Sequence, residues 1–244
     1  MSPRPPVRLP PAPPRPLNRL LASLPEDAFR RLLPDLKTLP ITRNHIFYRQ
    51  GDLVEYVYFP NGGVASVITA MSNGMMVEAA TIGDEGMLGI EAFLGEGADA
   101  QNDVIMQVPD TNIEMLSAAA FRREVARGTA LQEVIGRYAQ VLLFQMRQSA
   151  ACNALHPIHD RCCCWLLQTH DRIHGDEFFL SQEFLAIMLG VRRQSVTAVA
   201  GALQNTGAIS YKHGHVKVLN RQRLEAGSCE CYGVIRAHFD RLQL

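Results

Sequence analysis

The side chains best suited to chemistry form one short polar run in the C-terminal third of the chain. The run contains Arg192, Arg193, Gln194, Ser195 and Thr197. Arginine can form a bidentate contact with guanine, glutamine can do the same with adenine, and hydroxyl groups bond phosphate oxygens. Gathered at the start of one helix, these groups have the chemistry needed to contact a nucleic acid.

A helix-turn-helix pattern surrounds this run. Ser181 is a typical N-cap for a helix that ends at Gly190, and a second helix extends from Arg192 to about Asn205. Two short strands then flank His213-Gly214-His215, which predicts the wing of a winged helix. The candidate DNA-binding residues are Ser181, Gln182, Arg192, Arg193, Gln194, Ser195, Thr197, Lys212, His213 and His215.

The distribution of charge supports this interpretation. The chain has no net charge, but the segment from Gln50 to Phe121 has eleven acids and no Lys, Arg or His. The segment from Gly190 to Arg223 has six bases and no acid, and Arg221 and Arg223 at its end are expected to hold a nucleic-acid backbone. One end of the chain is therefore suited to a polyanion and the middle is not.

The six cysteines have no spacing typical of a secreted disulfide scaffold and are expected to be reduced. Cys162, Cys163 and Cys164 are consecutive, so they point in different directions on a helix and cannot converge on one metal. Cys229 and Cys231 alternate, and they could pair with another cysteine or with His238 in a zinc or redox role. The alternative is that they are buried thiols, and no metal site is assigned.

No catalytic motif is present. The sequence contains no Gly-x-Ser-x-Gly elbow, no Walker loop and no His-Glu-x-x-His, and Gly95-Glu96-Gly97 lacks the third glycine of a dinucleotide loop. The chain is not expected to be an enzyme, and no catalytic residue is assigned.

The elements that must position these side chains begin after a proline-rich arm. Eight of the 14 prolines lie in the first 16 residues, so residues 1–17 are expected to be disordered. A short helix is expected at Pro25–Leu33. Alternating apolar residues and turn signals predict a compact antiparallel β-unit with a tight turn at Ser72-Asn73-Gly74. Its predicted strands are Ile46–Tyr48, Tyr56–Pro60, Val64–Thr69, Met75–Thr81 and Val104–Val108.

Helical spacing replaces the strand pattern from Leu131 to Leu155. Apolar side chains advance by 4, 3 and 4 residues, and the seam consists of Leu131, Ile135, Tyr138, Leu142, Gln145, Ser149 and Cys152. About 25 residues give a helix of roughly 37 Å, which is longer than one small domain needs. The pattern predicts a two-helix dimer seam, with packing inside the same chain as the alternative. A further helix is expected at Ile158–His174.

The chain after the arm resembles the cyclic AMP receptor protein and fumarate–nitrate regulator (Crp/Fnr) family of bacterial transcription regulators. The likeness is carried by Tyr48–Asp52, by Gly83–Leu94 where the family has its phosphate-binding cassette, and by Leu180–Leu203. It implies an α+β fold. The implied parts are an N-terminal antiparallel β-roll sensor at residues 18–128, a long central dimerisation helix at 129–156 and a C-terminal winged helix-turn-helix at 157–244.

The resemblance also implies roles for individual residues. Arg193 and Gln194 match base-contacting positions, Ser195 matches a phosphate-contacting position, and Ala198 stands where another contact residue is often found. Homodimers that bind palindromic promoter sites on double-stranded DNA are implied as well. RNA polymerase is a candidate partner.

The cassette departs from the pattern of members that bind cyclic nucleotides, which have a Gly-Glu pair and, soon after, an Arg for the cyclic phosphate. Here Gly89 precedes Ile90, and the expected Arg position falls in Ala100–Asp103. A phosphate among so many acids would be repelled, so ordinary cyclic AMP binding is not expected. If another residue replaced the missing arginine as the partner of the cyclic phosphate, it would be Arg137 or Arg147 of the long helix.

The region can still line a pocket for an uncharged ligand, with a filled core as the alternative. The candidate effector residues are Gly89, Ile90, Glu91, Gln101, Asn102 and Tyr138. An iron–sulfur cluster is not expected because the first cysteine is Cys152, and a haem is not expected because the acidic segment offers only methionine. No cofactor is assigned.

The leading hypothesis is a cytoplasmic DNA-binding transcription regulator that makes no contact with a membrane, since the sequence has no long apolar run and no secretory signal. The alternative is a ligand-binding module whose winged helix serves protein–protein interaction. Binding of duplex DNA would distinguish the two hypotheses.

Overall fold

The computed structural model describes residues 15–95, 97–128 and 130–242. The proline-rich arm expected at residues 1–17 lies outside the described residues, except for its last three positions. Within the described ranges, no helix is both long enough and apolar enough to cross a membrane.

Ten strands form three antiparallel sheets in the described part of the chain. Their bounds are β1 (Lys37–Leu39), β2 (Ile46–Tyr48), β3 (Tyr56–Pro60), β4 (Val64–Ala70), β5 (Met76–Ile82), β6 (Asp103–Val108), β7 (Ile113–Ser117), β8 (Glu177–Phe179), β9 (Ile209–Lys212) and β10 (His215–Val218). The strand orders are β1-β7-β3, β2-β6-β4-β5 and β8-β10-β9. The first two sheets build the β-roll, and the third is the small sheet of the winged helix. Gly74, with φ of 81°, makes the predicted tight turn between β4 and β5.

Ten helices accompany the strands in the described ranges. Their bounds are α1 (Arg19–Ala22), α2 (Glu26–Leu32), α3 (Glu91–Leu94), α4 (Ala118–Val125), α5 (Ala130–Leu155), α6 (Ile158–His170), α7 (Gln182–Met188), α8 (Arg193–Asn205), α9 (Arg221–Gly227) and α10 (Cys231–Asp240). The predicted order of β-roll, long central helix and winged helix-turn-helix is confirmed, with α5 as the central helix of 26 residues.

The apolar seam predicted for a dimer faces the chain's own core, so this assignment of the seam is wrong. Ile135 and Tyr138 are fully buried and Leu142 is 4% exposed within a single chain. Gln145 on the same face donates a hydrogen bond to the Thr81 carbonyl at 3.1 Å. The large side chains of this face of α5 fill the space beside the β-roll and α10, which leaves none of them for a partner chain.

Two apolar clusters hold the described part of the chain together. The first joins the inside of the β-roll to α2, α4 and the inner face of α5. The second is the core of the winged helix, and it also contains Val64, Ile68 and Val108 of the β-roll. The winged helix therefore packs on the outer face of the four-stranded sheet.

Candidate functional site

The helix-turn-helix begins at α7. The Ser181 hydroxyl oxygen accepts a hydrogen bond from the Phe184 backbone N–H at 3.1 Å, which satisfies one free donor of the first turn. The chain then turns at Gly190, whose φ of 62° strains any residue with a Cβ. A hydrogen bond of 2.9 Å from the Val191 N–H to the Ala186 carbonyl closes the turn. These bonds fix the direction in which α8 leaves α7.

Helix α8 is held by one face and exposes the other. Its buried side chains are Val196, Val199, Ala200 and Leu203. The exposed side chains at its start are Arg192, Arg193, Gln194, Ser195 and Thr197. Arg192 is the N-cap in an extended conformation, and no described side chain caps the helix. The first backbone N–H groups are therefore available to an anion, which the helix dipole also attracts.

Gln182 of α7 belongs to the same surface. The Thr197 hydroxyl lies 3.0 Å from Gln182 Oε1 and 3.2 Å from the Arg193 carbonyl oxygen. Gln182 and Thr197 line a shallow, open groove together with Arg192, Arg193 and Gln194. The structure thus brings the predicted base-contacting residues together on one surface.

The wing is formed by β9 and β10. His213 and Gly214 have φ values of 51° and 83°, as a two-residue hairpin turn of this kind requires. Lys212, His213 and His215 are all exposed. The ring of His215 stands edge-on to Phe179 with ring centres 5.3 Å apart, so it is held against the small sheet. Lys212 and His213 stand at the tip of the wing.

Arg221 does not have the role that the acid-free segment predicts. Its guanidinium lies 2.7 Å from Asp171 Oδ1 and 2.8 Å from Glu225 Oε1, so it is paired inside its own domain rather than poised for phosphate. Arg223 likewise donates to the Thr206 carbonyl. Arg223 is exposed all the same, as are the remaining cations of the segment, namely Arg192, Arg193, Lys212 and Lys217.

The cassette loop packs around two buried tyrosines. Gly89 has φ of 82°, and a Cβ at this position would collide with the Tyr48 hydroxyl. Tyr138 from α5 is fully buried, and its hydroxyl donates to the Met87 carbonyl at 3.1 Å. Burial raises the pKa of both tyrosines, so both hydroxyls stay protonated. The aromatic side chains occupy the space beside the loop.

The other effector candidates have their own contacts. Ile90 and Glu91 are half-buried at the start of α3. Asn102 donates to the Thr69 hydroxyl at 2.8 Å, and the exposed Gln101 donates to the Asp99 carbonyl at 3.1 Å. Both hydrogen bonds end on β-roll residues, and neither reaches Tyr138 of α5. The effector pocket stays a prediction.

Arg172, which follows α6, enters the acidic segment from the C-terminal part of the chain. It is 8% exposed, and its Nε and Nη2 donate to the two carboxylate oxygens of Glu85 at 3.1 and 2.7 Å. Its Nη1 donates to the Thr81 hydroxyl at 2.7 Å. Burial by itself would raise the pKa of Glu85, but the charge of Arg172 holds this pKa below its ordinary value. Because Glu85 and Arg172 are 87 residues apart in the sequence, no local pattern could predict this ion pair.

Further polar contacts hold the winged helix against the β-roll. The Trp165 indole N–H donates to the buried Glu78 carboxyl at 2.8 Å. Burial raises the pKa of Glu78 to about 8, so this carboxyl is largely protonated at neutral pH. The Arg43 guanidinium lies 3.7 Å from the centre of the Phe179 ring. The β-roll and the winged helix thus share a specific interface.

Comparisons with known proteins agree with this architecture. Residues 160–226 match the Crp-like helix-turn-helix domain family. No curated protein is significantly similar to the chain in sequence.

Three solved structures illustrate the similarity of fold. FixK2 from Bradyrhizobium japonicum is 15% identical, with a TM-score of 0.66 over 80% of this chain and 98% of that one. CLP of Xanthomonas campestris, a c-di-GMP-responsive global regulator, is 15% identical, with a TM-score of 0.63 over 80% of this chain and 100% of that one. TTHB099, a CRP-family regulator from Thermus thermophilus, is 20% identical, with a TM-score of 0.63 over 79% of this chain and 96% of that one.

The expected fold class and the resemblance drawn from Tyr48–Asp52, Gly83–Leu94 and Leu180–Leu203 are therefore confirmed. The chain carries a Crp-like helix-turn-helix domain on the fold of the Crp/Fnr transcription regulators.

Proposed function

We propose that the protein is a transcription regulator that binds palindromic promoter DNA as a homodimer. The observation that carries this proposal is the exposed start of α8, where Arg193 and Gln194 stand beside uncapped backbone N–H groups. Such a helix end can enter the major groove and bond both base edges and phosphates. The wing, with Lys212 at its tip, would contact the backbone alongside.

Arg193→Ala and Lys212→Ala should weaken DNA binding in different ways. Loss of Arg193 removes a bidentate base contact, so it should cost about 1–3 kcal/mol on the cognate site and relax the preference at one base pair of each half-site. Loss of Lys212 removes a phosphate contact. It should weaken cognate and random DNA alike and reduce the slope of log affinity against log salt by about 0.9.

The measurement is a salt titration of duplex binding on sites recovered by selection from random DNA, with half-sites expected about 34 Å apart. Arg49→Ala is a control, because this exposed cation lies in the β-roll, where it pairs with Asp103, and not on the winged helix. If Arg193→Ala keeps the base preference while Lys212→Ala changes it, the wing reads the bases. If the wild type binds no duplex, the winged helix serves another partner.

The homodimer would use the outer face of α5, because the inner face is occupied. A second apolar stripe, called here the outer seam, advances by 4, 3 and 4 residues and consists of Ala139, Leu143, Met146 and Ala150. Met146 is half-buried and also packs in part against the chain's own core. Leu143 is 52% exposed in the single chain. Small alanines on either side would allow two such helices to approach closely.

Cyclic AMP is not expected to be the effector. The cassette places the Tyr48 hydroxyl against Gly89, and Arg172, a buried cation at the acidic loop, is already paired with Glu85. A cyclic phosphate would have to break that pair to gain a bidentate contact with Arg172. Titration calorimetry should therefore detect no binding of cyclic AMP at micromolar concentration, and micromolar affinity would contradict this part of the proposal.

A further inference from the structure

Four side chains from two distant parts of the sequence converge where α5 meets the start of α10. They are Cys152 and His156 at the end of α5, and Cys229 and Cys231 next to α10. Their Sγ and ring nitrogen atoms all lie within 4.8 Å of one another. Cys152 Sγ is 3.5 Å from Cys229 Sγ, and Cys231 Sγ is 3.5 Å from His156 Nδ1.

These separations match those of a tetrahedral zinc site. With Zn–S bonds of about 2.3 Å and Zn–N bonds of about 2.0 Å, neighbouring ligand atoms stand about 3.8 Å apart for two sulfurs and about 3.5 Å apart for sulfur and nitrogen. The spacing in the sequence is also suitable. Cys152 and His156 are four residues apart and share one face of the helix, whereas Cys229 and Cys231 flank a single residue in the turn before α10.

We propose that Cys152, His156, Cys229 and Cys231 form a structural zinc site. Three thiolates and one imidazole fill all four tetrahedral positions, so the site has no open position for substrate, as in other closed structural sites. Binding of Zn²⁺ to the three thiols releases their three protons to solvent and leaves the imidazole neutral.

The surrounding groups are those that a metal-binding histidine and thiolate need. His156 Nε2 lies 3.3 Å from the Glu230 carboxylate, so the ring can donate on that side and turn Nδ1 toward the three sulfurs. The Gln148 amide donates to Cys231 Sγ at 3.1 Å, which would stabilise negative charge on that sulfur. Both contacts orient ligands without occupying a coordination position.

The other candidates from the sequence are not members of this four-residue group. The His238 ring is stacked on Phe144 with centres 3.6 Å apart, and its Nδ1 is 3.0 Å from the Val234 carbonyl oxygen, so it is not the histidine of this cluster. Cys162, Cys163 and Cys164 are buried on α6 and outside the four-residue group, although the Cys164 side chain forms a hydrogen bond with that of Cys229. The zinc would tie the end of the central helix, at the Pro157 junction, to the last helix of the winged-helix domain.

The test is a competition between the reduced full chain and a chromophoric chelator of micromolar affinity, with Zn²⁺ as the probe. We expect the protein to remove one equivalent of zinc from the chelator and its thermal midpoint to rise on loading. With Co²⁺ in place of zinc, we expect thiolate-to-cobalt charge-transfer bands and the visible bands of a tetrahedral site.

Cys229→Ala should lose this uptake and these bands, whereas Cys162→Ala, which removes a buried cysteine outside the cluster, should keep both. His156→Gln, at a half-buried position, provides a second variant if Cys229→Ala does not fold. Wild-type protein that leaves the zinc on the chelator would overturn the proposal. So would cluster variants that take up zinc as the wild type does, or a wild type whose Cys152 and Cys229 form a disulfide in air even when zinc is supplied.

Discussion

Leu143→Asp should convert a homodimer into a folded monomer that has lost most of its affinity for palindromic DNA. Leu143 is 52% exposed in the single chain, so an aspartate there stays in water when the chain is alone. In a paired outer seam, the same carboxylate would be buried without a partner, at a cost of several kcal/mol. Because a palindromic site binds two recognition helices together, loss of the dimer removes one half of the contacts.

Two further variants separate association from folding. Leu53→Asp in the β-roll replaces a leucine of nearly equal exposure, 55%, and should remain a dimer. Ile135→Asp changes the fully buried inner face of the same helix and should destabilise the fold itself. Sedimentation velocity at micromolar concentration, together with circular dichroism, distinguishes these outcomes. A wild type that sediments as a monomer, or a Leu143→Asp variant that sediments as a dimer, would show that the outer seam is not the interface.

The order of the elements could be predicted from the sequence because each depends on local signals. The predicted strands of the β-roll alternate apolar and polar residues between glycine or asparagine turns. Two of the five have the observed bounds and three differ by one residue at one or both ends, whereas β1 and β7 are not predicted from the sequence. The helix-turn-helix depends on a cap at Ser181 and a positive φ at Gly190, and both can be read from residue type.

Features that depend on distant residues could not be predicted in the same way. Strand β7 has a glutamate where an apolar residue would mark a strand, because the buried Glu114 accepts hydrogen bonds from Thr38 at 2.7 Å and Asn61 at 3.0 Å. Helix α5 has two apolar stripes, and the stripe with the larger side chains is the one that fills the chain's own core. Cys152 and His156 have a suitable spacing, but only the fold brings Cys229 to them.

The buried pair of Glu85 and Arg172 should be among the most sensitive positions in the protein. Glu85→Gln keeps the shape of the side chain but removes the carboxylate that is hydrogen-bonded to the buried Arg172 charge, so it should lower the free energy of unfolding by about 3–5 kcal/mol at pH 7. Replacing both residues, as Glu85→Gln with Arg172→Met, removes the buried charge and should cost much less. Urea unfolding of the wild type, the single variant and the double variant measures both effects.

The same pair predicts how the difference in free energy of unfolding between the wild type and Glu85→Gln depends on pH. In the unfolded chain Glu85 titrates near 4.5, and in the fold its pKa is lower because of Arg172. A lowered carboxyl pKa contributes stability that is fully present above about 4.5 and is lost as the pH falls further, since protonation is then easier in the unfolded chain. The neighbouring Asp84, whose pKa burial and then Glu85 raise to about 6, titrates above this range. The free energy of unfolding of the wild type should thus fall toward that of Glu85→Gln only below about pH 4.5. If the two unfold alike at pH 7, the Arg172 contact does not hold the winged helix on the β-roll.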